Sequence, residues 1–145
     1  MTKVLIIEDE NSLRQEIAEI LSFEGYEVSQ AENGVIGLTK ATESLPDLIL
    51  CDVMMPEMDG YDVLTKLRQN PATQLIPCIL ITALAEREHM RTGMDMGADD
   101  YIAKPFKSAE LLNAVKTRLK KSETAKMHAE TSLDELRTHI IRSLP

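Results

Sequence analysis

Tryptophan is absent from this chain, and Phe and Tyr together make up only 3% of it. A core built from such a composition has to be aliphatic, and no run of rings is available on which unpaired bases would stack. Cysteine is nearly as scarce. Cys51 and Cys78 lie apart inside apolar runs without C-x-x-C spacing, so neither a disulfide framework nor a zinc site is indicated, and a reducing cytoplasm suits them. Positive charge is in the minority, with 16 Lys and Arg against 24 Asp and Glu and a net charge of −8. A chain like this repels a phosphate backbone, and direct nucleic-acid binding by this segment is not expected. Long apolar runs are missing too. Nothing approaches the roughly 20 residues that a membrane span needs, and Met1-Thr2-Lys3-Val4 passes straight into a strand-like segment instead of a signal peptide, so a soluble protein is expected. What is present is one domain's worth of chain, 145 residues with 43% apolar content.

Short apolar, β-branched runs alternate five times with longer segments of helical period. The runs are Val4-Leu5-Ile6-Ile7, the stretch from Glu27 to Ala31, Leu48-Ile49-Leu50-Cys51, Cys78-Ile79-Leu80-Ile81 and Tyr101-Ile102-Ala103. Between them, Leu13, Ile17, Ile20 and Leu21 mark a first helix with Asn11 or Ser12 as its N-cap and Gly25 as its stop. Ile36, Leu38 and Ala41 mark a second, ended before Pro46, and Val63, Leu64 and Leu67 a third after the Pro56–Gly60 loop. The fourth spans about Glu86 to Met96. Gly34 and Gly97 read as turn or capping glycines, and Met54, Met55, Met90, Met94 and Met96 as core or loop packing ahead of an adaptable partner surface. His89, His128 and His139 are scattered and suggest no metal cluster. Strands that are apolar throughout belong in a parallel sheet covered on both faces, so the pattern predicts an α/β fold, a (βα)5 doubly wound sandwich.

The last helix begins near Ser108 and carries Leu111, Leu112, Val115 and Leu119, then runs on without Gly or Pro until Pro145. Residues 120–145 are nearly balanced in charge, so the acidity belongs to the preceding domain. Leu112, Leu119, Lys126, Leu133 and Ile140 recur every seven residues with Val115, Ala129 and Leu136 between them, a coiled-coil seam interrupted by Lys126 and Ser122. A partner helix, giving a homodimer, and a solvated linker helix both fit.

In open parallel sheets, ligands bind beyond the carboxyl ends of the strands. The residues at those ends are Glu8 and Asp9 after the first strand, Asp52 after the third, Thr82 after the fourth and Lys104-Pro105 after the fifth. Each has a structural reading of its own: Glu8 and Asp9 suit a helix N-terminus, Asp52 a turn, Thr82 a strand end and Lys104 a solvated surface. Jointly they gather three carboxylates, a hydroxyl and an ammonium at one edge. Three clustered carboxylates do not stay ionised together without a cation, and an all-oxygen set with open positions suits Mg²⁺ or Mn²⁺. With Lys104 and Thr82 beside it, such a pocket would stabilise charge on phosphoryl oxygens, and Asp52, nearest the middle of the sheet, is the expected nucleophile.

The chain closely resembles the receiver domain of two-component response regulators over about residues 2–120. The resemblance rests on Leu5-Ile6-Ile7-Glu8-Asp9-Glu10, Asp47 through Gly60, Ile81-Thr82-Ala83, and Gly97 through Phe106, in order and suitably spaced. It implies a chemotaxis-regulator-like sheet with strand order 2-1-3-4-5, a receiver over 1–120 and a helical linker, or the start of a signalling helix, over 121–145. It further implies that Asp52 accepts a phosphoryl group from the phosphohistidine of a histidine kinase or phosphotransfer protein. Asp9 and Asp52, the Met54 backbone carbonyl and, directly or through water, Glu8 would hold Mg²⁺. Lys104 would pair with the phosphoryl group, Thr82 would bond it, and Tyr101 would swing inward as a switch. The Lys104–Pro105 bond is expected to be cis. Apolar Met54 and Leu84, where polar side chains would orient water, imply slow hydrolysis of the acyl phosphate.

Three other classes fit less well. An aspartate-nucleophile phosphatase resembles an Asp-x-Asp pattern, but Met54 stands two residues beyond Asp52 and cannot act as its general acid. A flavodoxin-like or dinucleotide-binding module is opposed by Glu8-Asp9-Glu10-Asn11, which repels phosphate where a glycine-rich loop would cradle it. A receiver-fold docking module that is never phosphorylated leaves the intact Asp9, Asp52, Thr82 and Lys104 set without a task. The stretch Ser132–Pro145 resembles the approach to a histidine kinase dimerisation helix, though Asp134 stands where the phosphorylated histidine would be. The expectation is an amino-terminal piece of a hybrid histidine kinase, with a different output domain after a signalling helix as the alternative.

Overall fold

A computed structural model describes the backbone of residues 1–83 and 87–143 and the side chains of 1–83, 91–125 and 127. Strands β1 (Lys3–Ile7), β2 (Glu27–Ala31), β3 (Leu48–Asp52), β4 (Cys78–Thr82) and β5 (Asp100–Ala103) form one sheet in the order 2-1-3-4-5. Every pairing is parallel. Helices α1 (Asn11–Phe23), α2 (Gly34–Ser44), α3 (Gly60–Gln69), α4 (Arg87–Asp95) and α5 (Ser108–Ser143) alternate with the strands. This is the doubly wound arrangement that the alternation predicts.

The reason for continuous apolarity is visible in how each strand divides its side chains. Leu5, Ile7, Ile49, Cys51, Cys78 and Leu80 are buried with Val63, Leu64 and Leu67 of α3 and Ala41 of α2. Val4, Ile6, Leu48, Leu50, Ile79 and Ile81 are buried with Ile17 and Leu21 of α1 and Leu111 and Val115 of α5. Because successive residues point to opposite faces, a strand covered on both sides needs apolar residues at every position. β3 and β4 are buried at every position and β1 at all but Lys3, with polar residues only at the Lys3 start of β1 and at the Asp52 and Thr82 ends of β3 and β4, whereas β2, at the edge, has only Ala31 fully buried.

Local signals set the helix boundaries. Asn33 caps α2 by accepting from the Ile36 amide, and Asp59 and Asp62 bond each other's backbone amides to start α3. Gly25, at φ +96°, takes the left-handed turn that stops α1. Two expectations need correction. Neither Asn11 nor Ser12 caps α1: Glu10 occupies the N-cap without a side-chain bond, and the Asn11 side-chain oxygen accepts instead from Arg14. Gly34 is not a turn residue but a buried helical one, where a Cβ would meet Met58 and Val63 at 2.9 Å. The fourth helix starts at Arg87, and Glu86 lies outside the described residues, as do the side chains of Met90 and the three histidines. Met55 is buried, while Met54 and Met94 are exposed. The backbone of α5 is unbroken from Ser108 to Ser143, but the side chains of the proposed seam beyond Met127 lie outside the described residues.

Candidate acidic site at the strand ends

The sheet order reverses between β1 and β3, which lie side by side with Ile7 level with Cys51. Glu8 and Asp52, the next residues along, therefore stand together at the switch point, Glu8 just past β1 and Asp52 as the last residue of β3. Both are buried, at 2% and 3% exposure, and Asp9 stands exposed beside them. One carboxylate oxygen from each of Glu8, Asp9 and Asp52 lies within 4.8 Å of the others. From the far side, Lys104 brings its ammonium to 3.0 Å from Glu8 Oε1 and 3.1 Å from Asp52 Oδ1. Its backbone amide donates to the carbonyl of Thr82 at 2.7 Å, which joins the ends of β4 and β5, and its bond to Pro105 is cis. Thr82 itself is fully buried at the end of β4.

The electrostatics follow from this crowding. Two unit charges 4.8 Å apart repel by about 3 to 4 kcal/mol at an effective dielectric of about 20. Burial first, and the Asp52 carboxylate second, push the Glu8 carboxyl up to about 8, against the opposing pull of Lys104. Burial works against the Lys104 ammonium, but Glu8 and Asp52 outweigh it and its pKa lies above the ordinary lysine value. Glu8 Oε2 is buried without a hydrogen-bond partner among the described residues, and Asp52 Oδ1 meets the lysine without hydrogen-bond geometry. Buried acceptor oxygens of this kind are costly unless something positive engages them. A hard divalent cation fits the donor set, which is all oxygen and carries up to three negative charges.

Tyr101 lies inward, at 8% exposure, and its hydroxyl is 3.3 Å from that of Tyr61 on α3. Burial and this contact raise the Tyr61 phenol above the ordinary range. Tyr61 escapes a reading of strand ends because it belongs to a helix and meets Tyr101 only in the folded chain. Met54 follows β3 with its side chain 60% exposed, and Leu84 lies outside the described residues. Both cysteines are free and buried, and the Cys51 thiol donates to the Asp52 carbonyl at 3.4 Å. Burial drives Cys51 well above its ordinary range and Cys78 up to about 12.

A family model described as the response regulator receiver domain matches residues 4–116. The chain belongs to that family. Receiver relatives include the response regulator ArlR of Staphylococcus saprophyticus, 42% identical over 121 residues, which cover 83% of this chain and 54% of that protein. The DNA-binding dual master transcriptional regulator RpaA of Synechocystis is 36% identical over 132 residues, covering 91% and 55%. The chain thus spans about half the length of the curated relatives it matches. Among solved structures, a CheY-like receiver from Methanospirillum hungatei superimposes with a TM-score of 0.81 at 31% identity, over 86% of this chain and 98% of that one. The receiver of a signal transduction histidine kinase from Syntrophus aciditrophicus gives 0.77 at 36% identity, over 83% and 92%. This receiver domain is accordingly a module of two-component signalling, a switch by family. No helix among its described residues is long and apolar enough to cross a membrane.

Proposed function

We propose that Asp52 is the phospho-accepting residue of this receiver, taking its phosphoryl group from a phosphohistidine on a histidine kinase or phosphotransfer protein. The observation that carries the reading is the meeting of three carboxylates within 4.8 Å with a lysine ammonium 3.0 and 3.1 Å from two of them. A carboxylate oxygen of Asp52 attacks phosphorus as the bond to the donor imidazole nitrogen breaks, and the imidazole leaves with a proton. Glu8, Asp9, Asp52 and the Met54 backbone carbonyl would hold Mg²⁺, or Mn²⁺, which supplies positive charge beside the phosphoryl oxygens. Lys104, 3.1 Å from Asp52 Oδ1, is freed from that oxygen as Asp52 becomes an acyl phosphate, and pairs with the incoming oxygens instead. Thr82 donates its hydroxyl to the same group. Tyr101 would report that change through the inward position it holds here, altering the surface formed by α4, β5 and α5. The chain assists its own phosphorylation and dephosphorylation without turning over a separate substrate.

Incubation with Mg²⁺ and acetyl phosphate tests this by intact mass. Wild type should gain one phosphoryl group and Asp52→Asn none. A wild type that stays unmodified under these conditions would favour the docking-module reading, and rapid turnover of the phosphodonor would favour a phosphatase. With apolar Met54 beside Asp52, the acyl phosphate should be long-lived, and decay within seconds would contradict that.

The chain works in the cytoplasm in this reading, and its acidity keeps it off nucleic acid. The helix beyond residue 120 links the receiver to a further domain. The kinase-like Ser132–Pro145 stretch favours a hybrid histidine kinase, while relatives named as transcriptional regulators favour a DNA-binding output instead. Sedimentation with and without residues 121–145 tests whether the same helix makes a homodimer.

A further inference from the structure

A basic side chain stands behind the acidic edge. Arg14, in the opening turn of α1, donates from Nη1 to the backbone carbonyl of Glu8 at 2.9 Å and from Nε to Oε1 of Gln30 at 3.2 Å, and its Nη2 bonds the side chain of Asn11. Gln30 lies in β2, and its own backbone carbonyl is taken by Lys40 of α2. The Glu8 amide meanwhile donates to Ala31 at 3.0 Å. Glu8 is therefore held on both sides, its N–H by the strand ladder and its C=O by the guanidinium. That carbonyl belongs to the peptide joining Glu8 to Asp9, which supplies two of the three clustered carboxylates.

We infer that Arg14 is a positioning residue for the cation site. Its grip on the Glu8–Asp9 peptide fixes the direction in which the two carboxylates leave the chain, and its charge offsets part of their repulsion. A planar guanidinium can span three acceptors at once, one just beyond β1, one on α1 and one on β2, whereas a lysine ammonium on its flexible stem cannot hold the same fork. Partners of this kind, one step removed from a metal, typically change affinity by about 10- to 100-fold when lost. The inference rests on the reading that Glu8, Asp9 and Asp52 hold Mg²⁺, and its test separates the two.

Mg²⁺ alone is titrated calorimetrically into the full chain as wild type, Arg14→Met and Arg14→Lys, with circular dichroism on each to confirm folding. Wild type should bind, Arg14→Met should bind about tenfold or more weakly, and Arg14→Lys should fall between. Hydrogen exchange at the Asp9 and Glu10 amides adds a readout that a loss of global stability does not mimic: Mg²⁺ should slow it in wild type and leave it unchanged in Arg14→Met. Binding by Arg14→Met within twofold of wild type overturns the inference and leaves the cation reading standing. Failure of wild type to bind overturns the reading itself. If Arg14→Met does not fold, Arg14→Lys decides alone, since wild-type affinity and exchange in that variant refute the fork.

Discussion

Gly60 begins α3 directly against the strand that carries the proposed phospho-acceptor, and a side chain there has nowhere to go. An alanine Cβ would lie 2.5 Å from the Asp52 carbonyl oxygen, 2.8 Å from Val53 Cα and 3.0 Å from the Asp52 carbonyl carbon. All three are backbone atoms, so no rotamer change relieves the contact. Restoring an ordinary separation of about 3.5 Å requires α3 to retreat by roughly 1 Å. The retreat would stretch the Gly60 amide bond to the Val53 carbonyl, now 2.9 Å, and loosen Val63, Leu64 and Leu67 from the core. Overpacking of this kind costs about 1 to 3 kcal/mol, and an immovable backbone puts Gly60→Ala at the upper end, offset by at most about 1 kcal/mol of helix preference. The expected net loss is about 2 kcal/mol, or roughly 4 to 8 °C in Tm for a chain of this size. Gly25→Ala is the control. No atom lies within 4 Å of its Cβ, but φ is +96°, so it should lose about 1 kcal/mol through the backbone alone. Both variants should melt earlier, and only Gly60→Ala should also slow phosphoryl uptake from acetyl phosphate, because only it displaces Asp52. A Gly60→Ala domain with wild-type Tm and uptake would refute this account of how α3 sits on β3.

The Glu8 carboxyl, ordinarily near 4.5 and raised to about 8, binds its proton more tightly in the folded chain, so its contribution to metal-free stability is full below about 4.5 and is lost as pH rises through about 8. Proton and cation compete for it, so Mg²⁺ affinity should rise about tenfold from pH 7 to pH 9, and a flat calorimetric profile would argue against Glu8 as a ligand. Arg68 donates to the carbonyls of Gly97, Gln74 and Ile76 and to the Asp99 carboxylate. Arg68→Ala should cost about 2 to 3 kcal/mol in urea titrations, and a change under half a kcal/mol would show that water replaces it freely. Tyr61→Phe removes the hydroxyl facing Tyr101 and should raise the fraction of outward Tyr101, seen as a change in its ring resonances; an unchanged spectrum would show that packing alone holds the ring inward.

Much of this molecule is legible in the sequence because the physics involved is local or periodic. Five apolar runs and the strand-end rule point to Glu8, Asp9, Asp52, Thr82 and Lys104, since in a parallel sheet every strand delivers its last residue to the same edge. The Asn11 cap misled because a guanidinium three residues on takes the Asn11 oxygen, and Ser12 because it lies inside α1 with its hydroxyl donating to Glu10. The roles of Arg14 and Tyr61 are illegible for a related reason. Neither has a spacing that announces it, and Gln30 and Tyr101 reach them only in the folded chain, Gln30 through the parallel pairing of β2 with β1 and Tyr101 from β5. In the sequence Gly60 marks only the start of the third helix after the Pro56–Gly60 loop, and its close approach to Asp52 is a tertiary fact.

At the opposite edge from the acidic pocket, Arg118 of α5 donates to the Asp99 carbonyl at 2.6 Å, while the Asp99 carboxylate accepts from Arg68 and from the Cys78 amide. From that clasp the helix runs on to Ser143 without a break. The 24 residues from 120 to 143 make a rod about 36 Å long, so a tilt of about 5° at its root sweeps the far end through about 3 Å. A rearrangement too small to alter the receiver's outline thus becomes a displacement the size of a side chain at the tip, a mechanical gain that lengthens with every helical turn.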